Sequence, residues 1–380
     1  MKMNRALTGL APNQIGLLQE MARSRRAAGE RVLDFSIGDP LEPTPSFIPE
    51  TLRRSVPEVS QYPTTPGLPE LRAAAAGYVK RRFGVVVDPE TQVLPTSGAK
   101  EAIFSSALAF VDRGRGDAVA WGTPGYPVYE QGAVLAGAEL CPVRLREDFV
   151  FRADDLSAAD WARAAMVWIC SPHNPAGSVT SRAELAELME AARTGGAWLC
   201  SDECYADLYE TDPPASILEV AGKEAKGAIS FLSLSKRSGM TGYRSGVMVG
   251  DPEAIALLKR LRGYTGTASP EFVQRAAIAA WGDDEHPAER REIFRQKRAI
   301  LREAFAGVGM KVVGSVAGIY LWVAVPDDVV LAKRLLEENI LLTPGRAFGY
   351  GGEGYVRLAL VPTVDECDEA AARLSKCLAN

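Results

Sequence analysis

The apolar and polar positions of the chain change their rhythm twice, near residue 70 and near residue 251. Between these points, short apolar runs alternate with segments of helical periodicity. Buried strands that alternate with helices are typical of an α/β domain with a mostly parallel sheet, so the pattern predicts this architecture. The predicted strands lie at Val93-Leu94, 117–121, 139–143, 164–170, 197–201, 228–232 and 245–250, and the predicted helices at 69–83, after 97–100, at 126–136 and at 181–193.

The segments on either side of this region predict smaller, mixed structure. Before it we expect an amphipathic helix at 13–28, a strand at 32–37 and a turn-rich, proline-rich stretch at 41–69. After it come helices at 252–262, 271–281, 285–307, 328–338 and 364–377, and strands at 311–313, 319–324 and 355–360. We therefore predict a large α/β domain at 49–282 and a smaller α+β domain at 283–380, which the N-terminal segment 1–48 joins.

The composition is that of an ordinary globular protein. With 380 residues, 47% of them hydrophobic and 24% charged, the chain is long enough for two or three domains. Its net charge of −5 gives no general attraction to nucleic acid or to an anionic membrane. No apolar run reaches the roughly 18 residues of a membrane span, and 1–16 lacks the continuous apolar core of a signal peptide. We therefore expect a cytoplasmic protein that binds neither nucleic acid nor membrane.

Cysteine and histidine are too sparse or too scattered to suggest a metal site. The six cysteines contain no Cys-x-x-Cys pair, and Cys200 and Cys204 have no second pair beside them, so buried free thiols are predicted. The two histidines, His173 and His286, make a His-rich metal site or a histidine triad hard to build. Any chemistry is therefore expected to rest on lysine, tyrosine, a carboxylate or a cofactor, without a metal.

Polar and small residues collect where the predicted strands end, which is where open α/β sheets bind ligands. Taken singly, each can be explained as a capping turn, a core aromatic or a solvated loop charge. Asp202 is the least easily explained, because a carboxylate that follows a buried strand is costly unless it meets a cation. These strand ends carry Ser97-Gly98-Ala99-Lys100, Tyr126, Asn174, Asp202, and Lys236 with Arg244.

Taken together and in order, these residues resemble a known family, the class I and II aminotransferases of fold-type I, which use pyridoxal phosphate. The resemblance implies a large domain built on a mostly parallel, seven-stranded sheet. It also implies a homodimer with shared active sites, acting on an amino acid and a 2-oxo acid. The matching motifs are Tyr62-Pro63, Gly67, Leu71-Arg72, Gly98-Ala99-Lys100, Asn174-Pro175-x-Gly177, Asp202-x-x-Tyr205, Ser233-x-Ser235-Lys236, Arg244 and Val356-Arg357-Leu358.

The resemblance gives each matched residue an expected role. Lys236, Asp202 and Tyr205 would be catalytic: the lysine amine condenses with the aldehyde of pyridoxal phosphate, and the aspartate pairs with the protonated ring nitrogen. Arg357 would bind the α-carboxylate of the substrate, a bidentate task that lysine does poorly, with Gly38 and Asn174 beside it. The implied cofactor-binding residues are Lys236 at the aldehyde, Asp202 at the ring nitrogen, Asn174 and Tyr205 at the phenolic oxygen, Tyr126 on the ring, Ser233, Arg244 and the backbone of Ala99 and Lys100 at the phosphate, Tyr62 from the other subunit, and also Gly98 and Ser235.

Four local runs narrow the resemblance toward a substrate. They are similar to the succinyldiaminopimelate transaminases, which implies transfer from N-succinyl-LL-2,6-diaminopimelate to 2-oxoglutarate in bacterial lysine biosynthesis. Residues 240–243 and Ala176 are shared with more general class I enzymes, so an aspartate, alanine or aromatic aminotransferase stays open. A lyase of the same fold also stays open, because it uses the same lysine, aspartate and arginine. The four runs are 200–205, 233–238, 280–286 and 318–322.

Two other classes of protein are not favoured. The spacing Gly349-x-Gly351-x-x-Gly354 fits a dinucleotide fingerprint, but that fingerprint must follow a strand and open a helix. Here it precedes a predicted strand, so a glycine-rich loop is predicted instead. A transcription regulator built on the same fold would carry an N-terminal DNA-binding module. We expect none, because the resemblance begins within the first 40 residues and the chain is acidic.

Overall fold

The computed structural model describes residues 3–10 and 14–378, so residue 13 of the helix predicted at 13–28 and part of the segment 1–16 lie outside the described residues. The helices are α1 Arg5–Gly9, α2 Gln14–Ala27, α3 Phe47–Arg54, α4 Pro69–Phe83, α5 Ala99–Phe110, α6 Val128–Ala136, α7 Ala158–Arg163, α8 Arg182–Gly195, α9 Leu218–Ala221, α10 Leu234–Arg237, α11 Pro252–Thr265, α12 Glu271–Gly282, α13 Glu285–Gly307, α14 Asp328–Glu337 and α15 Val364–Leu378. The strands are β1 Leu33–Asp34, β2 Val93–Thr96, β3 Ala118–Thr123, β4 Glu139–Arg144, β5 Ala164–Cys170, β6 Trp198–Asp202, β7 Ala228–Ser233, β8 Gly246–Gly250, β9 Val312–Val313, β10 Tyr320–Ala324, β11 Ile340–Leu341, β12 Thr343–Pro344 and β13 Tyr355–Ala359.

A seven-stranded sheet organises the larger part of the chain, in the order β2-β8-β7-β6-β5-β3-β4. Strand β8 runs antiparallel to both of its neighbours, and the remaining pairs are parallel. The predicted mostly parallel, seven-stranded sheet is therefore confirmed. Parallel strands place their carboxyl ends at one edge, so β5, β6 and β7 deliver the residues that follow them to the same place.

The helices around this sheet begin and end where local chemistry dictates. Helix α8 opens on a capping box in which Ser181 and Glu184 bond each other's backbone N–H groups, and it ends at Gly196, whose φ is 78°. Helix α4 opens on Pro69, where the missing N–H costs nothing. Strand β5 is almost wholly buried, as its apolar run predicts.

The C-terminal part contains a second, smaller sheet of four antiparallel strands in the order β12-β13-β10-β9. The N-terminal segment packs with it, because β1 pairs with β11, and Leu33 and Phe35 share a buried cluster with Phe294 and Leu321. The domain boundaries at residues 49 and 283 stay predictions. None of the described helices is both long and apolar enough to cross a membrane.

The structure differs from the predicted elements mainly at their short members. The strand predicted at 32–37 is only the two residues of β1. Helix α3 is not predicted within 41–69, because its single fully buried residue, Ile48, is too little to show a helical period. Pro49 lies in its first turn, where proline is tolerated. Helices α1, α7, α9 and α10 and strands β11 and β12 are likewise absent from the prediction.

Candidate active site

A cavity of about 190 Å³ lies at the carboxyl ends of β5, β6 and β7, beside the start of α5. Its walls consist of residues predicted from the sequence, apart from Ile103 and Cys204. The geometry therefore brings most of the predicted site residues together. The lining residues are Ala99, Lys100, Ile103, Tyr126, Asn174, Asp202, Cys204, Tyr205, Ser233, Ser235, Lys236 and Arg244.

Lys236 lies in the short helix α10, directly after β7. The Ser233 hydroxyl caps this helix by accepting a hydrogen bond from the Ser235 N–H at 3.1 Å. The Lys236 Nζ donates to the Gly38 carbonyl, which links it to the N-terminal segment. Burial lowers the pKa of Lys236 to about 8, although the nearby Asp39 charge opposes this shift. About a tenth of the amine is therefore neutral, and so nucleophilic, at pH 7, far more than for an ordinary lysine.

Asp202 ends β6 and is buried on the cavity wall. Its Oδ2 accepts from the Tyr129 hydroxyl at 2.8 Å, and its Oδ1 accepts from the Cys204 N–H at 3.2 Å. Burial raises the pKa of Asp202, since no cation of the described residues pairs with it. The protonated ring nitrogen of pyridoxal phosphate would supply this missing cation, so the carboxylate fits the implied cofactor. Tyr129 is absent from the predicted site; its position one turn after Tyr126 is the available signal.

The start of α5 forms a cradle for an anion. Gly98 has a φ of 81°, and a Cβ at this position would lie 2.3 Å from the Arg244 Nη2. Only glycine therefore lets the guanidinium lie against the first turn of the helix. The Arg244 Nη1 also donates to the Thr241 carbonyl at 2.9 Å. A helix N-terminus with an adjacent arginine suits a phosphate group.

Arg357 lies on β13 and is held from four sides. Its Nη1 donates to the Asn174 Oδ1 at 2.9 Å, and its Nη2 donates to the Ser36 carbonyl at 2.6 Å. The guanidinium lies between the rings of Tyr320 and Phe348, 4.3 Å and 4.5 Å from their centroids. Burial lowers the pKa of Arg357, but a guanidinium stays charged in proteins. The side chain is a fixed cation beside the cavity.

Tyr205 pairs with Tyr320, a residue that has no predicted role. Their hydroxyl oxygens lie 2.8 Å apart, and both side chains are buried. In the sequence, the run 318–322 serves only as a likeness to enzymes with a particular substrate. In the structure, its Tyr320 contacts both Tyr205 and Arg357. No local pattern marks this tyrosine, since its partners come from distant elements.

Tyr62 does not line the cavity. Its side chain is fully exposed, at 100% of its maximum. Because its expected role is at the phosphate of another subunit, that role stays a prediction. Lys100 is exposed as well, although it lies on the rim of the cavity.

Two of the runs that suggest a substrate form one buried cluster behind Lys236. Arg237 donates to the Asp207 Oδ2 at 2.7 Å and to the Ala280 and Asp283 carbonyls, both at 2.7 Å. It also lies over the rings of Tyr78 and Trp281. Arg237 does not line the cavity, so it and the run 280–286 describe internal packing and not a substrate contact, whereas Ser233, Ser235 and Lys236 of the run 233–238 do line the cavity.

The same cluster contains His286, which bridges a serine and an aspartate. The His286 Nε2 lies 2.8 Å from the Ser238 hydroxyl, and its Nδ1 contacts the Asp283 carboxylate. This has the connectivity of a Ser-His-Asp triad. Ser238 is fully buried, however, so the three side chains hold the turn after Lys236 and cannot meet a substrate.

Comparisons with known proteins match nearly the whole chain. The family described as "Aminotransferase class I and II" matches residues 30–374. An LL-diaminopimelate aminotransferase of Dehalococcoides mccartyi is 34% identical over 385 residues, covering 99% of this chain and 98% of the relative. The 4-dedimethylamino-4-oxo-anhydrotetracycline transaminase OxyQ of Streptomyces rimosus is 37% identical over 356 residues, covering 92% and 96%. The solved structure of a probable N-succinyldiaminopimelate aminotransferase from Thermus thermophilus superposes with a TM-score of 0.88 at 29% identity, covering 96% and 100%.

Proposed function

The chain belongs to the class I and II aminotransferases, which use pyridoxal phosphate, and we propose that it transfers the amino group of a diaminopimelate to 2-oxoglutarate. Transamination itself rests on the family. The observation that supports this site is one cavity lined by both a half-buried lysine with a lowered pKa, Lys236, and a buried carboxylate with no cationic partner among the described residues, Asp202.

Pyridoxal phosphate, when bound, supplies an aldehyde that condenses with amines and a ring that withdraws electrons from the donor's Cα. Asp202 would hold the ring nitrogen in its protonated form, because burial of the carboxylate demands a cation. Arg244 and the first turn of α5 would hold the phosphate. Tyr205 and Asn174 would hydrogen-bond the phenolic oxygen, and Tyr126 would lie against the ring.

Lys236 and Arg357 act on the substrate in this proposal. Arg357 binds the α-carboxylate and thereby places the donor's Cα within reach of the Lys236 Nζ. The amine then takes the proton from Cα, a transfer that typically contributes about 10²–10⁴-fold in rate. The pKa of about 8 suits this task, because a base works best when its pKa is near the working pH.

The choice of donor is supported by relatives and by charge. Relatives named for LL-diaminopimelate and, at lower identity, for its N-succinyl form share the whole fold. A neighbouring cavity of about 770 Å³, which shares Arg244 with the cofactor cavity, offers room for a long side chain. Asp39 lines it. Its carboxylate would attract the distal amine of free LL-diaminopimelate and would repel a succinyl carboxylate, so we propose the free amino acid as the better donor.

A panel of half-reactions tests the function. Purified protein with pyridoxal phosphate is mixed with LL-diaminopimelate, N-succinyl-LL-diaminopimelate, aspartate, alanine or tyrosine while the absorbance of the bound cofactor is followed. We expect fast conversion by a diaminopimelate and recovery on adding 2-oxoglutarate. A protein that acquires no absorbance band with pyridoxal phosphate would contradict the whole assignment. Fast conversion by aspartate and by neither diaminopimelate would contradict the donor, and loss of the amino group without need for an oxo acid would indicate a lyase.

Replacement of Asp39 tests the charge argument separately. In Asp39→Asn, the ratio of kcat/KM for LL-diaminopimelate over its N-succinyl form should fall by about twofold to fivefold, the worth of one exposed ion pair of roughly 0.5 to 1 kcal/mol. The ratio is the right quantity, because any effect of Asp39 on Lys236 alters both donors equally. Asp39→Glu is the matched control and should keep the ratio. An unchanged ratio in Asp39→Asn would assign distal recognition to other residues.

A further inference from the structure

Tyr320 connects three parts of the site that the proposed function uses. Its hydroxyl lies 2.8 Å from that of Tyr205, and its ring lies under the Arg357 guanidinium at 4.3 Å. A Cβ on Gly38 would lie only 2.5 Å from the Tyr320 hydroxyl, so Tyr320 also packs against Gly38. The Gly38 carbonyl accepts a hydrogen bond from the Lys236 amine. It is 3% exposed, and it does not line the cofactor cavity.

We propose that Tyr320 is a positioning residue that donates its hydroxyl hydrogen to Tyr205 and thereby aims the Tyr205 hydroxyl at the phenolic oxygen of the cofactor. This inference rests on the proposed function, since it needs pyridoxal phosphate in the cavity. A tyrosine hydroxyl has a single hydrogen. If Tyr205 accepts from Tyr320, its own hydrogen stays available for the cavity; if it donates to Tyr320, that hydrogen is consumed.

The charge of Arg357 sets the direction of this hydrogen bond. Burial raises the pKa of Tyr320, but the adjacent Arg357 cation works against that rise. The pKa of Tyr205 lies well above its ordinary value, first through burial and then through Tyr320 itself. The more acidic hydroxyl is the better donor, so Tyr320 donates and Tyr205 accepts. A hydroxyl that accepts a hydrogen bond is also polarised into a stronger donor.

Other charged and titratable groups face this pair and enter any pH measurement. Asp202 and Cys204 act on Tyr205 from the end of β6, and Cys170 acts on Tyr320 from the end of β5. The pKa of the Lys236 amine is raised by Asp39 and Cys204 and lowered by Arg244 and Arg357. All of these groups are still present when the Tyr320 hydroxyl alone is removed, and Arg357, on which Tyr320 acts, stays charged, so Tyr320→Phe tests the proposed hydrogen bond.

The test follows the absorbance of bound pyridoxal phosphate as pH is varied, in protein without substrate. A stronger donor at the phenolic oxygen keeps that oxygen anionic and lowers the pH at which the bound cofactor loses its proton. Tyr320→Phe should raise this pH by about 0.5 to 1 unit, a threefold to tenfold change in proton affinity. Tyr205→Phe should raise it further, and the double variant should match Tyr205→Phe alone, because Tyr320 acts through Tyr205.

The matched control is Tyr355→Phe, which removes a hydroxyl at the opposite end of the same strand pair and should leave the midpoint unchanged. A normal midpoint in Tyr320→Phe beside a shifted one in Tyr205→Phe would overturn the inference. So would additive shifts in the double variant. Native protein that acquires no absorbance band fails at an earlier step and contradicts the proposed function instead, so the two failures are distinguishable. Circular dichroism of each variant verifies that the fold is kept.

Discussion

Lys236 owes its chemical character to its surroundings and not to its own side chain. Its amine is buried at the end of β7, among Asp39, Arg244 and Arg357, and burial is the largest cause of its pKa of about 8. The sequence locates this lysine through its motif, and Asp202, Asn174, Arg244 and Arg357 likewise. It does not locate Tyr129 or Tyr320. A tyrosine in a helix or strand cannot be told from an ordinary core residue until the partner of its hydroxyl, which comes from another element, is known.

Titration of Lys236 should be visible when the cofactor is added to protein that lacks it. Below the pKa the amine is protonated and cannot condense with the aldehyde. The rate of appearance of the absorbance band should therefore rise with pH and level off above about pH 8. Lys236→Ala should show no such band and no transamination, while its circular dichroism stays native. Appreciable transamination by that variant, or a rate midpoint near the ordinary lysine value of about 10.4, would contradict the assignment.

At the scale of elements, long periodic segments are predictable and short ones are not. Helix α4 and strand β5 have the predicted limits, 69–83 and 164–170, because a continuous apolar stripe or run is unambiguous over that length. The two-residue strands β1 and β11 exist only through their pairing with each other. Nothing in a local pattern can encode such a partner, so contacts between distant segments decide these elements.

Arg237 of the run 233–238 also depends on contacts between distant segments. Its partners are Asp207 after β6, Ala280 in α12 and Asp283 between α12 and α13. Arg237→Leu should lower the free energy of unfolding by about 3 kcal/mol, since Asp207 would keep only one cationic partner in a buried site. Urea unfolding measures this. The control is Arg275→Ala, an exposed arginine of α12 paired with Glu271, which should cost at most about 0.5 kcal/mol. Near-native stability in Arg237→Leu, together with an altered donor preference, would return this run to substrate recognition.

Over the whole molecule, buried ionisable groups make stability depend on pH. Burial lowers the pKa of His173 to about 4, so the unfolded chain, with a histidine pKa near 6.5, binds the proton first as pH falls. The stabilisation is complete above about pH 6.5 and is lost progressively toward pH 4. Burial raises the pKa of Asp202 and Glu203, which acts in the opposite direction. The histidine contribution must therefore be measured as a difference between proteins.

Urea unfolding of the native protein and of His173→Asn at pH 7 and pH 5 provides that difference. From the two pKa values, the native protein should lose about 2 kcal/mol more than the variant between these pH values. His286, whose pKa is also lowered to about 4, is present in both proteins and cancels. Equal losses in the two proteins would mean that His173 is protonated in the folded state.

The buried cluster of Arg237, Ser238 and His286 also bears on how substrates are inferred across related enzymes. These side chains contact one another and the backbone carbonyls of Ala280 in α12 and of Asp283 just after it, and none lines the cofactor cavity. A different amino acid would be contacted by residues that line an open cavity, such as Asp39 in the neighbouring cavity, and not by this interior. A likeness in this cluster between two enzymes therefore reports a shared way of packing the interior, and not a shared substrate. Two enzymes can share this cluster and still act on different amino acids.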